Sequence, residues 1–307
     1  GIPCLTSLDT ANALAEIIAS RFNCRNTELV DINDMRAWKK RIAFTKMQGS
    51  GSDYIFIENF DGGISCPESL CVTLCASHYG VGGDGIVLME RSRCADAKMR
   101  IFNRDGSEGK MAGNSIRCVG KYLYDKGYVR SERISIETAS GVKRLRLYIR
   151  DGEVSSVRVD MGRAELECAR VPVLWPGERM VNEPIEVDGQ ELRVTCLSVG
   201  NPHCVVFCSH IDSLDLASVG PRLEHADIFP DRANVGFVRV VNRHTLRIRV
   251  WERGNGETLA CGTGACAAVA AAAENGLCDR GVDVTVKTLG GDLIVSYAPD
   301  GSQTLTG

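Results

Sequence analysis

Two short stretches of the chain carry residues that could hold an anion while moving a proton. Glu252-Arg-Gly-Asn-Gly-Glu-Thr-Leu-Ala-Cys-Gly-Thr-Gly264 sets a thiol, Cys261, directly before a Gly-rich turn that opens a helix expected over Ala265 to Glu274. Free backbone N–H groups and the positive end of the dipole at such a start suit a carboxylate or a phosphate. The same environment is expected to depress the pKa of Cys261 and favour its thiolate. Ala112-Gly113-Asn114-Ser115 repeats the layout ahead of a helix expected over Ile116 to Asp125, but without a thiol. Two such turns facing each other would grip one small anionic ligand from both sides. An acid/base group on each face of a carbon could then remove an α-proton and return one from behind, inverting a stereocentre. The charge developed on the way spreads into a carboxylate, which two rings of N–H groups can stabilise.

The elements that position these turns come in duplicate. Arg100, Phe102 and Glu108 recur as Arg249, Trp251 and Glu257, all 149 residues downstream. At that offset Gly51-Ser-Asp-Tyr-Ile-Phe-Ile57 precedes Gly200-Asn-Pro-His-Cys-Val-Val206, and Gly85 matches Asn234. Ile134-Ser-Ile-Glu-Thr recurs as Val284-Thr-Val-Lys-Thr after one inserted residue. Each half reads strand, helix, strand, strand, turn, helix, then several antiparallel strands, with clean alternation over Leu145 to Ile149 and Val154 to Val159. The expected organisation is an amino-terminal extension over residues 1–40, a first repeat over 41–160 and a second over 161–307. The boundary falls near Asp160, where Met161-Gly starts a polar connection. Within the extension, Asp9 to Arg21 predicts an amphipathic helix capped by Asp9 or Thr10, and Thr27 to Ile32 a short strand.

Composition narrows the partners. A formal net charge of −3 gives no reason to expect nucleic acid. No apolar run is long enough to span a bilayer and no signal peptide is visible, so no membrane is expected. Most of the fourteen cysteines, in a chain of this size with no secretory signal, read as buried small hydrophobes in a reducing cytoplasm rather than as disulfides. Cys71/Cys75 and Cys204/Cys208 have helix-like spacing, yet no C-x-x-C pair or His cluster completes a metal set, so no metal is expected. Gly80-Val-Gly-Gly-Asp-Gly85 has the look of a nucleotide loop without the Lys-Ser/Thr or downstream acid that would support one. His203 has no carboxylate partner in sequence and reads as structural, and Cys118 and Cys266 read as core. Gly1-Ile-Pro lacks a methionine and reads as a processed chain or a piece of a longer one.

Met47-Gln-Gly-Ser-Gly-Ser-Asp-Tyr, Phe102-Asn-Arg-Asp-Gly-Ser-Glu, Gly113-Asn-Ser-Ile-Arg-Cys, Val199-Gly-Asn-Pro-His-Cys and Glu252 to Cys266 together resemble the diaminopimelate epimerase family over roughly residues 42–307. The resemblance implies an enzyme independent of pyridoxal phosphate or any other cofactor, interconverting LL- and meso-diaminopimelate by two-base proton transfer. It implies an α/β (α+β) fold of two pseudo-symmetric domains. Each would be a curled, mostly antiparallel sheet wrapped around a central helix, with the active site in the cleft between them. On the family pattern Cys261 is one base. Gly113, Asn114, Gly262 and Thr263 hold the reacting carboxylate. Asn103, Asn201, Asn234, Glu252 and Arg253 hold the amino and carboxylate groups, and Ser52 and Gly85 fall on further substrate-contacting positions. The partner implied is a small amino acid, and family precedent implies a homodimer. Separately, Gly1 to Ala11 and Glu28-Leu-Val-Asp-Ile-Asn resemble the tail of the regulatory domain ending the carbamoyl-phosphate synthase large chain. The bland reading of this piece is an extra helix docked on the core.

Departures from the family pattern keep alternatives open. Ala112 occupies the position of the other catalytic cysteine and cannot move a proton; an engineered Cys→Ala change is favoured over a natural variant because Gly113 and Asn114 are intact. Ser52 replaces a usual Asn, Arg104 and Ser115 sit where Ala and Gly are common, and the family's last strand is expected to be missing after Gly307. Arg253 could instead pair with Glu257 as a surface ion pair. Besides the epimerase, a cofactor-independent racemase of another amino acid and a non-catalytic binder remain open readings.

Overall fold

Duplication in the sequence becomes duplication of elements. The computed structural model describes residues 42–109, 112–187 and 189–307; the helix and strand expected within residues 1–40 lie outside them. The first half runs β1 (Thr45–Gly49), β2 (Ser52–Glu58), α1 (Pro67–Cys75), β3 (Gly85–Glu90), β4 (Ala97–Asn103) and β5 (Glu108–Gly109). It continues with α2 (Gly113–Asp125), β6 (Arg133–Thr138), β7 (Gly141–Arg150) and β8 (Glu153–Arg163). The second half runs β9 (Met180–Val187), β10 (Gln190–Ser198), β11 (Pro202–Phe207), α3 (Leu216–Glu224), β12 (Asn234–Asn242), β13 (Thr245–Glu252) and β14 (Gly256–Thr258). It ends with α4 (Gly262–Glu274), β15 (Asp283–Thr288), β16 (Gly291–Tyr297) and β17 (Ser302–Thr306). Helix α1 recurs as α3 and α2 as α4, residue for residue, 149 positions on.

Pairing repeats as faithfully. Strands β2 and β3 are parallel, as are β11 and β12; β4 and β6 are parallel, as are β13 and β15. The other ladders are antiparallel. The expected polar connection at Met161-Gly is instead the end of β8. Val157, Val159 and Met161 keep the period-two burial going, and β17 pairs with β8 out to Arg163. The last strand of the second half is thereby hydrogen-bonded to the last strand of the first.

Each half wraps its strands around one buried helix. Helix α2 buries Ile116, Val119 and Leu123 and packs on β7 and β8. The fit is close at Gly120, where a Cβ would fall 2.9 Å from the Leu145 Cδ2. Helix α4, Gly-Thr-Gly-Ala-Cys-Ala-Ala-Val-Ala-Ala-Ala-Ala-Glu, buries ten of its residues, so small side chains on all sides let the sheet close around it. Cys118 and Cys266 lie in this core, as expected. Cys71 and Cys75 share α1 with their sulfurs 3.8 Å apart, whereas Cys204 is on β11 opposite Cys196, so the helical spacing of Cys204/Cys208 is coincidental. Among the described residues no helix is long and apolar enough to cross a membrane.

Candidate active site

The two Gly-rich turns meet at the starts of α2 and α4. A Cβ on Gly262 would sit 3.7 Å from the Gly113 Cα, and one on Gly113 would sit 3.9 Å from the Gly262 Cα. Leu305 of β17 closes on both positions, so each helix start is bare backbone facing the other. The N-cap residues have nearly the same conformation, Ala112 at φ −131°, ψ 125° and Cys261 at φ −118°, ψ 116°. Their carbonyls accept from Ile116 N at 3.1 Å and Ala265 N at 2.9 Å. They differ at the side chain. Cys261 Sγ accepts from Gly264 N at 3.3 Å and meets Thr263 Oγ1 at 3.4 Å, while Ala112 has nothing to offer the matching N–H of Ser115.

Asn114 ties the halves together at this point. Its Nδ2 donates to Ser52 Oγ at 3.1 Å and to the Ala260 carbonyl at 3.3 Å. Its Oδ1 is buried without a partner. An acceptor so placed is a natural seat for a ligand donor such as an ammonium. Arg117, one turn further along α2 and 5% exposed, braces the arrangement from behind. It donates to the Gly113 carbonyl at 3.1 Å and to Ser50 Oγ at 2.9 Å, fixing the β1–β2 turn that presents Ser52.

Contrary to expectation, the Cys261 thiol is not activated by its helix. Burial pushes its pKa up to about 12, the neighbouring Glu252 carboxylate adds to the rise, and the Thr263 hydroxyl and Gly264 N–H only partly offset it. A helix N-terminus contributes a partial charge, and complete desolvation of a thiolate outweighs it. Glu252 is itself raised, chiefly by burial, while Thr258 Oγ1 donates to its Oε1 at 2.6 Å. Thiol and carboxylate thus adjoin, each holding its proton more tightly than in water.

Asn201, Asn234 and Arg253 form a second group. Asn234 Oδ1 accepts from Arg253 N at 3.0 Å and its Nδ2 donates to the Pro202 carbonyl at 3.0 Å, so this amide anchors the Arg253 turn to β11. The Arg253 guanidinium donates to the Asp231 carbonyl at 2.7 Å. Arg249, not Arg253, pairs with Glu257, at 2.7 and 2.9 Å. His203 meets Asn201 Oδ1 at 3.0 Å; complete burial, with the Arg253 charge, drives its pKa down to about 3, so it is a neutral structural ring.

Asn103 and Gly85 lie opposite each other across β3–β4. Asn103 Nδ2 donates to Ser107 Oγ at 3.0 Å, and a Cβ on Gly85 would fall 2.1 Å from the Phe102 carbonyl oxygen. Tyr54 bridges this pair to the rest, its ring against Gly85 and its hydroxyl raised by burial and by the Asp84 and Glu252 carboxylates. Tyr54, Arg117, Thr258 and the buried Glu224 beneath the Arg253 turn are the functional neighbours that sequence reading missed. Tyr54, Arg117 and Thr258 each had a signal, lying inside the Met47-to-Tyr54, Gly113-to-Cys118 and Glu252-to-Cys266 motifs, whereas Glu224 had none. Among the described residues no cluster of three or more His, Cys, Asp or Glu could hold a metal.

The sequence model of the family described as "Diaminopimelate epimerase" matches residues 44–167 and 195–307. A curated diaminopimelate epimerase from Acetivibrio thermocellus is 48% identical over 254 residues, covering 83% of this chain and 90% of that protein. One from Desulfovibrio desulfuricans is 47% identical over 262 residues, covering 83% and 91%. Among solved structures, a probable proline racemase from Agrobacterium radiobacter has the same fold, with a TM-score of 0.63 at 18% identity over 87% of this chain and 90% of that one. A hydroxyproline epimerase from Agrobacterium vitis superposes with a TM-score of 0.61 at 17% identity, covering 88% and 89%.

Proposed function

The chain belongs to the diaminopimelate epimerase family, and from that premise we propose that its cleft binds diaminopimelate and moves the α-proton on the face served by Cys261. The observation that carries the reading is the near contact of two helix starts, Gly113 and Gly262, with a single thiol beside them. The N–H groups of Gly113, Asn114, Gly262 and Thr263 receive the reacting carboxylate. Glu252 takes the Cys261 proton, the thiolate removes the α-proton, and the resulting charge delocalises into the carboxylate under those same N–H groups. Asn114 Oδ1 accepts from the ammonium, and Arg253 holds the distal carboxylate through charge-assisted bonds. Asn103, Gly85 and Asn201 line the remaining contacts.

Ala112 limits this chemistry to one face. After Cys261 removes a proton, only Cys261 can return one, so the original isomer reforms and inversion fails. The chain as written is therefore expected to exchange solvent deuterium into one diaminopimelate isomer and to interconvert LL and meso forms very poorly. Proton NMR of each isomer with the protein in D₂O tests this. Selective exchange of one isomer supports the reading, whereas rapid interconversion, or no binding of either isomer, would sink it.

A further inference from the structure

The turn that carries Glu252 and Arg253 is held by a residue outside every motif above. Glu224 ends α3 and is 3% exposed. Its Oε2 accepts from Trp251 Nε1 at 2.8 Å, and its Oε1 accepts from Gly254 N at 3.0 Å and from Arg232 Nη1 at 3.2 Å. Trp251 and Gly254 flank Glu252-Arg253 on either side. Arg232 follows Asp231, whose carbonyl accepts from the Arg253 guanidinium. One buried carboxylate therefore grips both segments between which Arg253 lies. The indole reaches it because α3 has glycine at 220, where a Cβ would come within 2.4 Å of the Trp251 ring.

We infer that Glu224 is a positioning residue for Arg253, fixing the direction from which that guanidinium meets the substrate's distal carboxylate. The inference rests on the proposed role of Arg253 as a substrate ligand. An ionised carboxylate only accepts, and here three donors converge on its two oxygens. Glutamine keeps the shape but turns an NH₂ toward one of those donors, so Glu224→Gln loosens the turn without emptying the core. A geometric fault of this kind degrades binding through Arg253 and should be silent where Arg253 has no guanidinium.

Calorimetric titration of meso-diaminopimelate into the chain, Glu224→Gln, Arg253→Ala and the double variant tests this. Arg253→Ala addresses the underlying reading by itself: unchanged affinity removes Arg253 as a ligand and the inference with it. With that loss established, Glu224→Gln is expected to weaken binding about tenfold, the order of one charge-assisted hydrogen bond, and to add nothing once Arg253 is alanine. A Glu224→Gln loss of equal size in both backgrounds marks a role in the fold alone and overturns the inference, as does no loss at all. Trp251→Phe removes one donor and no charge. It is expected to show a smaller loss with the same dependence on Arg253, and carries the same cycle if Glu224→Gln does not fold.

Discussion

Helices α1 and α3 occupy matching places in the two halves and support matching turns by opposite chemistry. In the first half Cys71 and Cys75 fill the positions that Gly220 and Glu224 fill in the second. Cys71 Sγ donates to the Asn103 carbonyl at 3.0 Å, while Glu224 accepts from the indole and backbone around Arg253. A thiol holds the turn that bears Asn103 and Arg104, where the second half has Glu252 and Arg253. The turn bearing Glu252 and Arg253 is held by a buried carboxylate. The duplicated backbone thus kept its register while the two faces of the cleft diverged in charge, and the N-caps diverged in the same way, thiol against methyl. Symmetry of the fold and asymmetry of the chemistry can be separated by experiment.

The largest effect is expected from restoring symmetry at the caps. Ala112→Cys places a thiol on the face opposite Cys261, in the same extended backbone region as that cap, φ −131°, ψ 125° against φ −118°, ψ 116°. Positioned acid–base groups typically contribute about 10²–10⁴-fold, so LL/meso interconversion should rise by that order. Cys261→Ala in the restored protein should abolish turnover and move any deuterium exchange to the other isomer. No gain from Ala112→Cys would break the two-base comparison.

Next comes the state of the surviving thiol. With its pKa near 12, ligand-free Cys261 is protonated at neutral pH. Alkylation of the Cys261 peptide, followed by mass spectrometry, should therefore accelerate about tenfold per pH unit from about pH 7 to 9, tracking the thiolate. A plateau within that range would show that the helix start wins after all. The sign for stability follows: a folded pKa above the unfolded value of about 8.5 means the folded state keeps a proton the unfolded state loses, so stability declines as pH rises above that value.

A smaller effect separates the two turn arginines. Arg253→Lys should weaken diaminopimelate binding by about 1.5–3 kcal/mol, since an ammonium cannot reproduce a guanidinium's parallel bonds. Its counterpart Arg104 is exposed and donates to Ser77 Oγ at 2.9 Å. Arg104→Lys should change binding by less than about 0.5 kcal/mol. Equal losses in calorimetry would mean that both arginines contact the ligand and that the halves are more alike than their turns suggest.

The repeat, both Gly-rich helix starts and the buried helices were legible because each is a local pattern or a fixed offset. Charge states were not. Cys261 has a helix start in its sequence, but it is buried in a core whose members, Ile116 and Leu305 among them, come from distant parts of the chain. Arg253 and Glu257 are close in sequence, yet the β13–β14 ladder sets Trp251 opposite Glu257 and brings Arg249 to the carboxylate instead. Glu224 was invisible for the same reason: two strands, β12 and β13, lie between it and Arg253, and its partners are the Trp251 indole, the Gly254 N–H and the Arg232 guanidinium. Met161 misled because a Met-Gly pair looks like a connection, whereas its burial in β8 depends on β17.

The finest test separates a cap's structural role from its chemistry. Cys261 Sγ satisfies the Gly264 N–H, so α4 begins with a side-chain cap, and α2 begins at Ala112 without one. Ala112 already has the extended backbone an N-cap residue adopts, and its carbonyl already accepts the first helical bond from Ile116. Ala112→Ser adds only an oxygen within reach of the Ser115 N–H. Such caps are worth about 0.5–2 kcal/mol, and the partial burial of this helix start favours the middle of that range. Denaturant unfolding should therefore show a stability gain of about 1 kcal/mol. A serine hydroxyl, whose proton is far harder to remove than a thiol's, should leave LL/meso interconversion as poor as in the parent. If Ala112→Ser stabilises without turnover while Ala112→Cys brings turnover, the second half's cap holds two separable functions of which the first half lacks both. If Ala112→Ser gives no stability, the helix starts differ in more than their side chains, and the symmetry that frames the cleft is only approximate there.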